Sequence, residues 1–424
     1  MKNTYTEMKD SGVEWIGDIP KHWQIVRFKR IHESSNVGIS IDKEYWSTNE
    51  HDTIFYTASQ KPIYTYYKNI ENSILTKKDD LLLARNGTPY VYLPKNGAIY
   101  TDHIIRVDIA RNYNKSFIKY CLQQSIANEV VDTVSITTWS IPVWNRQRLP
   151  IPPLPEQAAI AAYLDEKCGT IDEIIAEAKA SIEEYKAWKS SVIFEAVTKG
   201  LNPNAEMKDS GVEWIGKVPR HWKMTKTKFC SSKIGSGKTP RGGAEIYTDS
   251  GVMILRSQNI YNTGLMLDNV SYISEEIDEE MANSRVFEDD ILLNITGGSI
   301  GRCCIYPANF PHANVNQHVC IIRVIKDIMI PKLMLYIWMS DVGQKSIDIC
   351  QTGANREGMN FEQIGNTIIP LMAYTEQQAI VNYLDEKCAA IDGIIAEKES
   401  LIADMEAYKK SLIFETVTGK RKVC

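Results

Sequence analysis

Residues 8–23 read MKDSGVEWIGDIPKHW, and residues 207–222 read MKDSGVEWIGKVPRHW. A second pair of near-copies follows. EQAAIAAYLDEKCGTIDEIIAEAKASIEEYKAWKSSVIFEAVT starts at Glu156, and EQQAIVNYLDEKCAAIDGIIAEKESLIADMEAYKKSLIFETVT starts at Glu376. The stretches between them are not obviously alike. The chain is thus a module, a spacer, a second module and a second spacer, with like spacers and unlike modules. Repetition at this scale decides the architecture before any local pattern does. It sets module boundaries at residues 1–153 and 207–370, and spacer boundaries at 154–206 and 371–424.

At 424 residues, each half is long enough to bury its own core. The N-terminus is polar and lacks the apolar segment of a secretory leader, and no apolar run approaches the ~18 residues of a membrane span. The nine cysteines are scattered without a CxxC pair, which disfavours structural zinc or a secreted disulfide framework. A cytoplasmic protein that does not engage membrane is expected. Net charge is −5, but the acidic excess sits mostly in the spacers. Lys217 to Arg241 holds eight Lys or Arg and no acid. Such a stripe is either a phosphate footprint or a solvated lysine-rich surface.

The spacers carry a helical signal. Apolar or small residues recur at steps of three and four: Ile171, Ile175, Ala178, Ile182, Tyr185, Trp188, Val192 and Ala196 in the first, and Ile391, Ile395, Ile402, Met405, Leu412 and Thr416 in the second. Lys398 and Lys409 interrupt the second stripe. Pro153 and Pro155 precede the first helix, Glu156 suits the positive end of its dipole, and Gly169 is a candidate kink. One such helix cannot bury its stripe alone. Antiparallel pairing of helices over roughly 156–198 and 376–418 is expected, with packing through Ile171, Ile175, Ile182, Tyr185, Val192, Ile391, Ile395, Ile402, Met405 and Leu412, and with the two modules related by a pseudo-twofold axis.

Each module reads as α+β. Both contain Asp-Asp and an apolar triplet leading to a Gly turn, at Asp79–Gly87 and Asp289–Gly297, then an Ile-Ile-Arg-Val strand at 104–107 and 321–324, then a helix. The fold class is therefore α+β, with two globular domains joined by a two-helix coiled-coil spacer.

The doubled MKDSGVEWIG box, the IPKHW and VPRHW strings, and PIPPLPEQAAIAAYLDEK leading into a long helix together resemble the specificity subunit of type I restriction–modification systems, over essentially the whole chain. The second copy departs from the pattern, with PLMAYTEQQAI where the first has PPLPEQAAI. The resemblance implies two target-recognition domains, each reading one half of a split double-stranded DNA sequence. It also implies a helical spacer that docks two modification (methyltransferase) subunits, with the restriction (nuclease–translocase) subunit joining them. No cofactor is then expected in this chain; S-adenosylmethionine and ATP with Mg²⁺ belong to the partners.

Catalytic patterns are weak. An adenine methyltransferase needs an Asn/Asp-Pro-Pro-aromatic motif, and Asn86-Gly87-Thr88-Pro89-Tyr90 lacks the paired prolines. GSGKTP at 235–240 has Ser232 where a phosphate loop needs Gly. Asp165-Glu166-Lys167 and Asp385-Glu386-Lys387 mimic a nuclease triplet but read better as solvated helix faces. His22 and His221, in the Pro-basic-His-Trp boxes, fit a turn over a buried Trp, and no metal spacing occurs. Base edges are read by Arg and Lys at guanine, Asn and Gln at adenine, and apolar groups at the thymine methyl. Candidates in the first module are Lys61, Arg85, Asn86, Thr88, Tyr90, His103, Thr138 and Trp139. In the second they are Lys233, Lys238, Thr239, Arg241, Arg256, Ser257, Gln258, Asn259, Thr296, Ser299, Arg302, Asn316, Gln317, His318, Asn355 and Arg356. Two other classes stay open on the sequence: a self-contained DNA methyltransferase or nuclease, and a coiled-coil adaptor that binds no DNA.

Overall fold

The repeated box folds the same way twice. In the first copy, strands Met8–Asp10 and Asp18–Pro20 form an antiparallel hairpin; in the second, Met207–Asp209 pairs with Lys217–Pro219. The Asp of each box accepts a hydrogen bond from the Gly amide two residues on, Asp10 to Gly12 at 2.9 Å and Asp209 to Gly211 at 2.8 Å. Both glycines have positive φ, which is why the turn needs them. Each hairpin delivers a Trp, Trp23 or Trp222, into full burial. The computed structural model describes residues 4–59, 61–72, 74–128, 138–238, 246–351 and 358–423. It divides into two units, Met1–Ala178 with Ser400–Cys424, and Lys179–Glu399, so both unit boundaries fall inside long helices.

In the first unit, one antiparallel sheet has the order His32–Val37, Ile104–Ile109, Asp80–Ala84, Val91–Tyr92. A second sheet has Ile99–Tyr100 parallel to Thr53–Tyr56, followed by Ile63–Thr65 and Trp46–Ser47. Helix Lys115–Ala127, capped by the Asn114 side chain, presents Phe117, Ile118, Cys121 and Leu122 to the core. The second unit repeats this plan. Its antiparallel sheet runs Ser231–Ser236, Val319–Val324, Ile291–Asn294, Cys303–Ile305, and Val252–Leu255 lies parallel to Ala313–Val315 in the other sheet.

The register shows something the sequence hid. Ala84 and Asn294 both close the Asp-Asp-apolar strand; Ala84 faces Ile104, but Asn294 faces Val319. The two Ile-Ile-Arg-Val strings are therefore two residues out of step. An even shift keeps each side chain on its face of the sheet, so the mismatch costs neither module its core. The equivalent residues just before these strands are His103 and His318.

The spacers are continuous helices, Leu154–Lys199 and Tyr374–Val417. At 46 residues the first is about 69 Å long. Gly169 does not break it. The missing prolines do not shift the second: Glu156 and Gln157 donate to Pro153, and Glu376 and Gln377 donate to Ala373, in the same register.

Within the first unit, Ile171, Ile175, Leu412 and Ile413 share one buried core, with Ile402 and Met405 packed against it. Lys409 pairs with Asp172 at 2.6 Å, and Gly419, just past the end of the second helix, lies against Trp23, whose indole bonds Glu156 at the start of the first, so the two helix segments are antiparallel. Within the second unit, Lys189 pairs with Asp392 at 2.6 Å and the Lys398 ammonium lies 5.7 Å from the Tyr185 ring centroid, again antiparallel. Ile182 and Ile391 are buried, while Tyr185, Val192 and Ile395 are half-buried. Lys398 and Lys409 therefore do not interrupt the pairing; each makes a contact with the other helix. Trp188, read as part of the stripe, is instead 51% exposed.

Buried aliphatic contact should outweigh the surface ion pair. Ile171→Asp places an unpaired carboxylate in the core and should cost several kcal/mol, whereas Lys409→Ala, whose partner Asp172 is largely exposed, should cost about 1 kcal/mol or less. Urea unfolding of the two variants checks the order.

Candidate nucleic-acid interface

The frame of each module is set by a contact between its two repeated segments. The Trp23 indole N–H donates to Glu156 Oε1 at 3.1 Å, and His22 Nε2 lies 2.9 Å from Oε2. The Tyr5 hydroxyl also donates to Glu156. In the second unit Trp222 donates to Glu376 at 3.0 Å, and His221 lies 3.0 Å from its other oxygen. Glu156 lies in the first turn of its helix, where its charge suits the dipole, and both glutamates are in addition acceptors for a buried indole and an exposed imidazole. The Asp-Glu-Lys triplets are likewise structural rather than merely solvated. Asp165 accepts from the Tyr120 hydroxyl at 2.8 Å and Asp385 from Tyr336 at 2.7 Å. Burial, and then these carboxylates, push both phenols well above the ordinary tyrosine range.

On this frame each module builds the same three-stranded cradle. In the first, the Arg85 amide donates to the His103 carbonyl at 2.8 Å, the Trp139 amide donates to the Arg85 carbonyl at 2.6 Å, and Asn86 bridges Thr138. In the second, the Ile295 amide donates to the His318 carbonyl at 3.0 Å, the Met359 amide donates to the Ile295 carbonyl at 2.9 Å, and Thr296 bridges Gly358. Gly87 and Gly297 follow with φ of 69° and 70°, a turn conformation that side chains with a Cβ rarely adopt. Segments over 50 residues apart in sequence thus meet in the same backbone pattern twice.

The side chains on the two cradles differ. Arg85 and His103 are exposed, and the Asn86 amide lies 2.9 Å from His103 Nδ1. Among the described residues, Arg85 Nη1 donates to the Asp102 carbonyl at 3.4 Å. The Trp139 indole donates to the Gly87 carbonyl at 2.6 Å and fixes the turn that carries Thr88; Tyr90 is half-buried against Tyr92. Lys61 is exposed, and its carbonyl accepts from the Ser59 hydroxyl at 2.7 Å. In the second cradle, Thr296 Oγ1 sits 2.6 Å from His318 Nδ1, and the Gln317 amide 2.9 Å from His318 Nε2. Ser299 Oγ accepts from Asn294, and the Arg302 guanidinium stacks 4.8 Å from the Tyr261 ring centroid.

Several candidates are committed to the protein itself. Asn259 is 1% exposed; its Oδ1 accepts from the Arg256 amide at 3.0 Å and its Nδ2 donates to Met266 at 2.8 Å. Asn316 is 7% exposed, and its Oδ1 accepts from the His318 amide. Lys233 donates to the Asn283 carbonyl, and burial, then Arg323, lowers its pKa. Arg256 and Gln258 both donate to the Asn269 carbonyl, at 3.2 and 3.4 Å, with Gln258 exposed beside half-buried Ser257. Lys238 is exposed. Thr239, Arg241, Asn355 and Arg356 lie outside the described residues. Among the described residues, no group of His, Cys, Asp and Glu is placed to hold a metal ion, and no helix is long and apolar enough to cross a membrane.

This separation is testable on the protein alone. Asn259→Ala should cost about 1–3 kcal/mol through unpaired buried backbone groups, while Gln258→Ala should stay within about 0.5 kcal/mol of the parent. Thermal unfolding of both variants distinguishes them.

Comparisons with known proteins agree with this duplicated design. The model of the type I restriction modification DNA specificity domain matches residues 20–184 and 223–401. The type I restriction enzyme EcoBI specificity subunit of Escherichia coli is 24% identical over 379 residues, covering 84% of this chain and 77% of that protein. The MjaVIII specificity subunit of Methanocaldococcus jannaschii is 22% identical over 417 residues, covering 96% and 94%. A chain from a solved structure concerning complex assembly and conformational transition of the type I R-M system superposes with a TM-score of 0.67 at 12% identity, over 94% of this chain and 98% of that one, a likeness of fold. With both matched segments spanning most of its length, this chain belongs to the type I restriction modification DNA specificity domain family.

Proposed function

We propose that the chain is the sequence-reading subunit of a type I restriction–modification complex and does no chemistry itself. Residues 1–153 and 207–370 each read one half of a split duplex target. Residues 154–206 and 371–424 set the gap between half-sites and dock two modification subunits, to which a restriction subunit adds. S-adenosylmethionine, ATP and Mg²⁺ bind the partners, and the complex works in the cytoplasm.

The observation that carries this reading is the pair of cradles, alike in backbone hydrogen bonding and unlike in side chains. A self-contained methyltransferase or nuclease needs one catalytic surface rather than two on a common frame, and a plain helical adaptor has no use for such surfaces at all. Recognition of two different half-sites by one duplicated fold requires a common frame and divergent polar tips.

The test is binding of the chain, assembled with its modification subunits, to the methylated target and to single-mismatch duplexes at several salt concentrations. Lys238→Ala should weaken binding alike on all sequences and flatten the dependence of log K on log salt by about 0.9 if one phosphate contact is lost. Gln317→Ala should cost roughly 1–3 kcal/mol on the target and relax preference at one base pair. Equal affinity of the parent complex for target and unrelated DNA would refute the proposal.

A further inference from the structure

The two cradles also differ in which hydrogen-bonding groups they turn outward, and the ring nitrogens of the paired histidines decide this. In the first cradle the Asn86 amide nitrogen approaches His103 Nδ1. An amide N–H can only donate, so Nδ1 accepts and the ring proton sits on Nε2. His103 is exposed, and beside it stands the exposed Arg85 guanidinium, held by one long bond to a carbonyl. Two donors thus stand side by side on the outer face of this cradle, the His103 Nε2–H and the Arg85 fork. In the second cradle the order is reversed. The Gln317 amide nitrogen approaches His318 Nε2, so that nitrogen accepts, and the proton lies on Nδ1, donating to Thr296 Oγ1. His318 is thereby covered, and exposed Gln317, an amide with both donor and acceptor, takes the outward place. The residue equivalent to Arg85 is Ile295, which is 5% exposed and offers nothing polar.

Resting on the function proposed above, we infer that the first cradle reads a guanine, through Arg85 with His103 beside it, and that the second reads an adenine, through Gln317 oriented by His318. Guanine presents only acceptors, N7 and O6, on its side of the major groove, which matches the two donors of the Arg85 fork. Adenine presents an acceptor at N7 and a donor at N6, which matches a primary amide. Arg85 and Gln317 are the groups that touch the base. His103 and His318 are positioning residues in different senses: His103 adds a donor beside the fork, and His318 fixes the Gln317 amide by occupying its N–H.

The experiment uses the complex with its modification subunits and its mapped methylation target. Each guanine of the half-site read by residues 1–153 is replaced in turn by 7-deazaguanine, and each adenine of the other half-site by 7-deazaadenine, which removes N7 alone. One such guanine should weaken binding roughly ten-fold or more, and Arg85→Ala should abolish that sensitivity while other positions keep theirs. Arg85→Lys, which retains charge but not the fork, should keep the salt dependence and lose the guanine preference. One adenine should behave likewise with Gln317→Ala. His318→Ala should weaken that adenine preference without altering salt dependence. Arg85 and Gln317 are exposed and His318 is half-buried, so the variants should fold, and unchanged unfolding curves verify it. A parent complex with no sequence preference would sink the function itself. A parent that discriminates normally, but whose guanine sensitivity survives Arg85→Ala or whose adenine sensitivity survives Gln317→Ala, would overturn this assignment alone.

Discussion

A buried indole N–H that finds its acceptor on a long helix is the constraint on which the rest of this structure depends. Trp23 and Trp222 are fully buried, and an unpaired N–H there would cost about 1–3 kcal/mol. Glu156 and Glu376 satisfy them and so fix where each spacer helix leaves its module. The same indoles receive the end of the other helix. A Cβ on Gly419 would lie 3.3 Å from Trp23 and 2.2 Å from Pro20, and one on Gly200 would lie 3.0 Å from Trp222. Both glycines have positive φ, so the helix end can turn close against the ring only because no side chain is present. In each unit, then, one helix begins at a Trp and the other ends on it, and the repeated box and the repeated helix are two parts of one joint.

Function follows from what the joint holds constant. With the helix exits and the hairpin fixed, the three segments of each cradle meet through the same backbone bonds, at Arg85, His103 and Trp139 and again at Ile295, His318 and Met359. Backbone bonds do not depend on side-chain identity, so the tips can diverge without loss of the frame. The second module uses that freedom differently from the first. It buries Ile295 where the first exposes Arg85, and it covers His318 with Gln317.

Much of this was legible in the sequence, and the exceptions have physical reasons. The duplication, the α+β class and the helical stripe were readable because apolar spacing reports burial directly. Lys398 and Lys409 looked like interruptions because a stripe counts only apolar atoms, whereas a lysine at the seam can reach an aromatic face or a carboxylate on the facing helix. The bond between Trp23 and Glu156 spans 133 residues, and no local pattern announces it. The equivalence of His103 and His318 was hidden by two Ile-Ile-Arg-Val strings that align by eye and differ by two residues in the sheet. Asn259 and Asn316 stood among the base-reading candidates because an amide suits an adenine edge, but the same amide also suits a turn. Only burial shows that their bonds go to the backbone.

The central claim is that two independent readers share one frame. It is tested most directly by replacing residues 24–150 with the corresponding segment of another specificity subunit and mapping methylated adenines in DNA by single-molecule sequencing. The account predicts that one half of the methylated sequence changes while the other half and the gap between them remain. A change in both halves, or in neither, would contradict it.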